Sequence, residues 1–336
     1  MNIISLFSEI EKVDPEVYGR FDSRRRVFQH MAGLGGRLAA AALPLALGSL
    51  FNKAYAGATA TQATVIEVLQ FALVLEHLEA NFYTAALGNT SITSALSANN
   101  NRALNTIKTD ETNHVTFLRG AITQAGATPV APAPADFDYT GSQGGTRAAL
   151  FADVLTNAAT MLAVAQALED TGVRAYKGSA ADLMNNSSTN PVLEAALNIH
   201  SVEARHASRL RTMRRGGLMP ANDRASFVAA GTNPSSSPKS WVSGIDNGGP
   251  APTATRPVYD AGSPAADFPA ESNTMQGANP ARDITALLMG AVTGLSATAA
   301  GAAASEAFDE PLDMATVKAI ARNFVKTGTP TFALLA

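Results

Sequence analysis

A chain of 336 residues exceeds what one helical bundle needs, so one domain of roughly 150 residues plus substantial further material is expected. A net charge of −3 leaves no basic surplus to recruit nucleic acid, and 46% hydrophobic residues suffice for a large core. With no cysteine, disulfides, thiolate metal sites, cysteine nucleophiles and iron–sulfur clusters are excluded, and any metal site must be built from His, Asp and Glu.

In chain order, residues 1–56 come first. Arg24, Arg25 and Arg26 precede an apolar run from Leu38 to Phe51, and Ala54-Tyr55-Ala56 supplies a small-x-small cleavage pattern. This order resembles a twin-arginine export signal, which implies a periplasmic or envelope location and a mature chain beginning near Gly57. The competing reading is a retained N-terminal helix in a cytoplasmic protein. It draws on the acidic residues Glu9, Glu11, Asp14, Glu16 and Asp22, which stand where a signal should be basic.

Residues 57–215 read as an all-α unit of four helices. Helix A covers about 61–87, with Thr64 and Glu67 as a capping box, and stops at Gly88. Helix B covers about 98–125 and stops at Gly126. Helix C covers about 146–177. Helix D starts at Asn190-Pro191 and ends at Gly216-Gly217. The long Pro- and Gly-rich link between B and C suits a crossover connection. Residues 216–336 read as a Gly/Pro/Ser-rich wrap, with Trp241 as a structural anchor, followed by helices over about 281–306 and 313–325.

Two halves of the bundle repeat. Glu76 and Tyr83 in helix A match Glu169 and Tyr176 in helix C; Glu111 and His114 in helix B match Glu203 and His206 in helix D. The offsets agree (169 − 76 = 93; 203 − 111 = 92; 206 − 114 = 92). Three- and four-residue steps place these residues on apolar stripes: Val65, Leu69, Ala72, Glu76, Glu79 and Tyr83 in A; Leu104, Ile107, Glu111, His114 and Leu118 in B. Helix C gives Leu155, Leu162, Ala165, Glu169, Gly172 and Tyr176, and helix D gives Leu193, Leu197, His200, Glu203, His206 and Leu210. Four glutamates and two histidines thus point into a core. Unpartnered, each buried carboxylate costs several kcal/mol, and four together repel. Two divalent cations bring four positive charges against four carboxylates, with two neutral imidazoles completing the set.

Segment 61–215 resembles the ferritin-like superfamily. The phrases at 69–83 and 306–312 bring it close to exported ferritin-like proteins of the desiccation-related type. The resemblance implies a ferritin-like four-helix bundle and metal-ligand roles for Glu76, Glu111, His114, Glu169, Glu203 and His206. Iron is the first expectation for the two metals and manganese the second. Glu79 is either an added carboxylate, as in rubrerythrin-type sites, or a rim residue. Asp110 precedes Glu111 where several diiron oxidases place an Asp that orients a ligand His. Tyr83 and Tyr176 read as core packing, His200 as a polar residue at the core edge. Two functions stay open. One is a redox protein, a diiron oxidase or peroxidase or a manganese catalase-like enzyme, that takes dioxygen or peroxide as its small oxidant and protects the envelope under stress. The other is a non-enzymatic metal-storage or structural envelope protein. Homo-oligomers and envelope association fit either.

Overall fold

The computed structural model describes residues 65–184, 191–214, 241–242, 252–277 and 281–336. The signal-like segment, Thr64 of the capping box, and the Asn190 and Gly216-Gly217 boundaries lie outside the described residues. Four long helices dominate: α1 (Val65–Leu87), α3 (Ala98–Gln124), α4 (Ala158–Ser179) and α5 (Pro191–Arg214). A short α2 (Thr90–Ala95), not expected from the sequence, links α1 to α3. Helix α1 packs along α3 and α4 along α5, and the two pairs meet through α1 against α4 and α3 against α5. The fold is all-α and ferritin-like; among the described residues the only sheet is a two-residue antiparallel pair, β1 (Met275–Gln276) with β2 (Arg282–Asp283).

Each boundary has a local cause. Ser97 caps α3 by accepting from Asn100 N–H at 3.1 Å. At its other end Gly126, at φ +82°, lets the Ala127 and Gly126 N–H groups reach back to the Ile122 and Thr123 carbonyls, a left-handed cap that glycine favours. Helix α4 starts at Ala158 rather than at 146, where Asn157 caps the N–H groups of Ala159 and Thr160. The intervening residues are spent on a turn around Asp138, whose carboxylate accepts from Thr140 Oγ1 (2.6 Å), Ser142 Oγ (2.6 Å) and Gly144 N–H (2.7 Å). These bonds also hold the Asp138 carboxyl below its usual pKa, against the opposing push of burial.

The C-terminal chain closes over this turn. Phe137 bridges Val325, Asp138 N–H donates to the Phe324 carbonyl at 2.8 Å, and the Gln143 amide donates to the Arg322 carbonyl at 2.8 Å. The helix expected over 281–306 is two, α7 (Ile284–Ala291) and α8 (Ala297–Ser305), separated at Gly294 with φ +80°. Before them comes α6 (Pro252–Thr255); after them come α9 (Met314–Ala321), shorter than the expected 313–325, and an unexpected α10 (Pro330–Leu334). Trp241 donates to Glu306 at 2.8 Å and so ties to the C-terminal segment.

Helix α4 is buried almost all round because one face meets the bundle and the other meets this extension. Arg174, with 0% exposure, holds the junction: its guanidinium donates to the carbonyls of Val258, Asp260, Pro269, Glu310 and Pro311 and pairs with Glu271 at 2.9 Å. One turn earlier Asp170 forms a two-pronged pair with Arg211 at 2.6 and 2.5 Å and accepts from Tyr259 at 2.7 Å, tying α4 to α5. At Gly178 an added Cβ would fall 1.9 Å from the Leu312 carbonyl oxygen, so only glycine permits this close approach. Among the described residues no helix is long and apolar enough to cross a membrane.

Candidate metal centre

The inward stripes converge at mid-bundle. Glu76 comes from α1, Glu111 and His114 from α3, Glu169 from α4, and Glu203 and His206 from α5; all six are between 0 and 9% exposed. They form two overlapping groups whose ligand atoms lie within 4.8 Å of one another: Glu76, Glu111, His114 and Glu203; and Glu111, Glu169, Glu203 and His206. Each group has three carboxylates and one imidazole. Glu111 and Glu203, one from each Glu-x-x-His helix, belong to both.

Each imidazole presents Nδ1 to the cluster. His114 Nδ1 lies 3.1 Å from Glu76, 3.3 Å from Glu111 and 3.5 Å from Glu203. His206 Nδ1 lies 2.8 Å from Glu111 and 3.1 Å from Glu169. The rings stand 6.4 Å apart, centroid to centroid. Asp110 sits 3.1 Å from Nε2 of His206, across the bundle rather than beside its own neighbour His114. It fixes the ring with Nδ1 inward.

The two tyrosines do more than pack. The Tyr83 hydroxyl donates to Glu169, and the Tyr176 hydroxyl donates to Glu76, so each half of the repeat supports a carboxylate of the other. Both tyrosines are buried and their pKa values are raised, first by burial and then by the carboxylates around them. His200 lies outside the cluster, its Nδ1 2.9 Å from the Val173 carbonyl oxygen.

Glu79 is 4% exposed and feels the charges of Glu203, Glu111, Glu169 and Glu76, yet it is in neither ligand group. Its repeat counterpart is Gly172, where an added Cβ would lie 2.8 Å from an oxygen of Glu203. The glycine makes the space that Glu203 occupies. In helix α5 the inward face runs through Ala196, Ile199, Glu203, His206 and Leu210, while Leu197 is 45% exposed and leaves the expected stripe. Val65, at 36%, sits outside the core as well, and Leu155 precedes α4.

The donor set fits a pair of cations, and the shared carboxylate of Glu203 points to it. Its Oε2 is buried with no hydrogen-bond partner among the described residues, and its Oε1 lies 3.5 Å from His114 Nδ1 without making a hydrogen bond, although buried carboxylate oxygens ordinarily have a partner. Without metal, protons supply the missing positive charge. Burial opposes charging His114 and His206, but the surrounding carboxylates win: both pKa values rise, that of His206 to about 12. Burial pushes Glu76 up to about 8, partly offset by His114, and raises Glu203 well above the carboxylate range. For Glu111 burial is outweighed by hydrogen bonds from the two histidines, leaving it near 2.

Comparison with known families agrees with this arrangement. Residues 64–215 match the family model described as "Ferritin-like domain". That segment holds all four long helices and every residue of the cluster, so the chain carries a ferritin-like domain with a buried carboxylate and histidine group able to hold metal ions. Neither the search of curated proteins nor that of solved structures returned a match.

Proposed function

We propose that the cluster holds two metal ions, iron in the first place, and that the protein reacts there with a small oxidant, dioxygen or a peroxide. The observation that carries this reading is the pair of four-residue groups sharing Glu111 and Glu203. Glu76 and His114 would complete the shell of one ion, Glu169 and His206 that of the other, with the shared carboxylates between. Four carboxylates against two divalent cations make a neutral site, which suits its burial. Carboxylate and imidazole donors without thiolate suit iron or manganese. When bound, such ions supply one-electron exchange with dioxygen or peroxide.

The chain's own residues prepare the site. Tyr83 and Tyr176 each engage one oxygen of a ligand carboxylate, and the other oxygen faces a histidine Nδ1 at 3.1 Å, the pair that an ion would join. Asp110 steadies His206 from outside. Apolar packing by Leu73, Leu118, Leu162 and Leu210, each nearly or fully buried, keeps bulk water away. With no cysteine in the chain, the reductant belongs to another molecule. Export through residues 23–56 and a protective role in the cell envelope are part of this proposal. They rest on the Arg24-Arg25 order and on the resemblance stated above; intact mass of native protein tests the export.

The test is metal analysis of protein from its native source, followed by stopped-flow consumption of peroxide and dioxygen by Fe(II)-loaded and Mn(II)-loaded protein. Turnover that disappears on chelation supports the redox reading, and turnover only with manganese redirects it to a catalase-like enzyme. Two bound metals without turnover would sink it in favour of storage or a structural role.

A further inference from the structure

From Ile284 to Ser305 the sequence carries no Asp, Glu, Lys, Arg or His, in a chain that is 16% charged. This stretch forms α7 and α8, and among the described elements each of the two packs chiefly on the other. They run back along one another: an added Cβ on Gly301, midway along α8, would lie 4.0 Å from Thr285 Oγ1 in the first turn of α7. The start of α7 and the end of α8 therefore form the base of a hairpin, and residues 292–296 form its tip.

No residue of α7 is buried. Leu287 is 51% exposed and Met289 45%, and positions two apart lie on nearly opposite sides of a helix, so α7 is apolar and open around its girth. A helix that docks on a water-soluble partner keeps a charged face for solvent. Neither α7 nor α8 has one. The tip keeps backbone donors inside the hairpin: the Val292 N–H donates to the Leu288 carbonyl at 2.9 Å, the Leu295 N–H to the Val292 carbonyl at 3.3 Å, and the Ala299 N–H to Ser296 Oγ at 3.2 Å. Pairing of this kind is what an apolar medium demands of a backbone. Charged groups collect at the base instead: Asp283 caps α7, Arg282 precedes it, and Glu306, at the end of α8, accepts from Trp241. Trp241 is the one tryptophan of the chain, and an indole favours the boundary between apolar and wet surroundings. Helices of 8 and 9 residues rise about 12–14 Å, close to half the ~30 Å hydrocarbon core of a bilayer.

We propose that the α7–α8 hairpin inserts tip first into one leaflet of a lipid bilayer, with Trp241 at the headgroup level, and so fastens the protein to a membrane surface without crossing it. Apolar area drives the insertion, because the hairpin has no charge to offer anionic headgroups. Zwitterionic lipid therefore suffices, and salt leaves binding unchanged. The attachment goes beyond the metal reading and does not depend on it, since the ligand cluster shares no residue with the hairpin.

The experiment mixes the full chain with phosphatidylcholine vesicles, plain or brominated on the acyl chains near the headgroup. Wild type is expected to float with the vesicles in high salt, with or without chelator, and brominated lipid is expected to quench the fluorescence of Trp241. Leu287→Asp with Met289→Asp places charge at two exposed positions, so the melting temperature in vesicle-free buffer is expected to stay unchanged while partitioning falls about tenfold or more. Should that variant fail to fold, Ala303→Lys on the exposed side of α8 takes its place with the same expectation. Absence of flotation, or flotation without quenching, overturns the proposal. Equal partitioning of wild type and variant overturns it too, and assigns attachment to another segment such as the apolar run Leu38 to Phe51. Wild type that dimerises in vesicle-free buffer and does not float, with the dimer lost in the variant, overturns it in favour of a second copy of the chain. Flotation with quenching by a protein that takes up no metal supports the attachment and overturns the dimetal reading alone.

Discussion

The hydroxyl of Tyr83 on α1 donates to the carboxylate of Glu169 on α4, so the first helix of one pair supports a ligand-position carboxylate on the first helix of the other. Tyr176 returns the contact to Glu76. The repeat is thereby interlocked at its carboxylate layer and not only packed side by side.

Tyr83→Phe removes this donor and leaves a fully buried carboxylate oxygen short of a partner. Such a loss costs about 1–3 kcal/mol. Urea denaturation of chelator-treated wild type and variant measures it. An unchanged midpoint would show that the hydrogen bond is incidental.

Metal uptake should release protons. At neutral pH the metal-free site holds them on His206, with a pKa of about 12, on His114, on Glu76, with a pKa of about 8, and on Glu203, raised well above the carboxylate range by burial. An ion must displace them, so apparent affinity rises with pH, about tenfold per pH unit for each proton released. The Glu76 contribution levels off above pH about 8, where that group is already ionised without metal. Calorimetry in buffers of different ionisation enthalpy counts the protons. A binding enthalpy independent of buffer would contradict the electrostatic picture.

Arg174 should matter far more than an ordinary charged residue. Arg174→Met leaves Glu271 buried without its cation and frees five backbone carbonyls, and breaking a buried pair costs about 3–5 kcal/mol. Thermal unfolding is expected to show a large loss, with part of it recovered by adding Glu271→Gln. A loss equal in the single and double variants would assign the effect to packing alone.

The ligand layer was legible because glutamates at apolar stripe positions demand a partner, and the Glu-x-x-His spacing puts both donors on one face. Helix C was misplaced at its start because the Asp138 turn depends on carbonyls at Arg322 and Phe324, far along the chain. Periodicity along one helix also cannot say which helix lies opposite. It therefore missed Asp110 reaching His206, the tyrosines crossing the repeat, and the buried Asp170–Arg211 pair. The charged pair Asp170 and Arg174, four residues apart in an otherwise Ala-rich helix, was the available signal that a second face of α4 is covered. Leu197 fell outside because the stripe drifts to Ala196 and Ile199 at the start of α5.

The central claim is tested most directly by counting metals in wild type and in the double variant Glu111→Ala/Glu203→Ala, after loading with Fe(II) or Mn(II) and desalting. Wild type should retain two ions per chain, and chelation should lower its melting temperature, because an ion bound only to the native state adds stability. The double variant should retain no metal pair and should melt at the same temperature with or without chelator. Wild-type protein that retains neither iron nor manganese, with a melting temperature indifferent to chelator, would contradict the account.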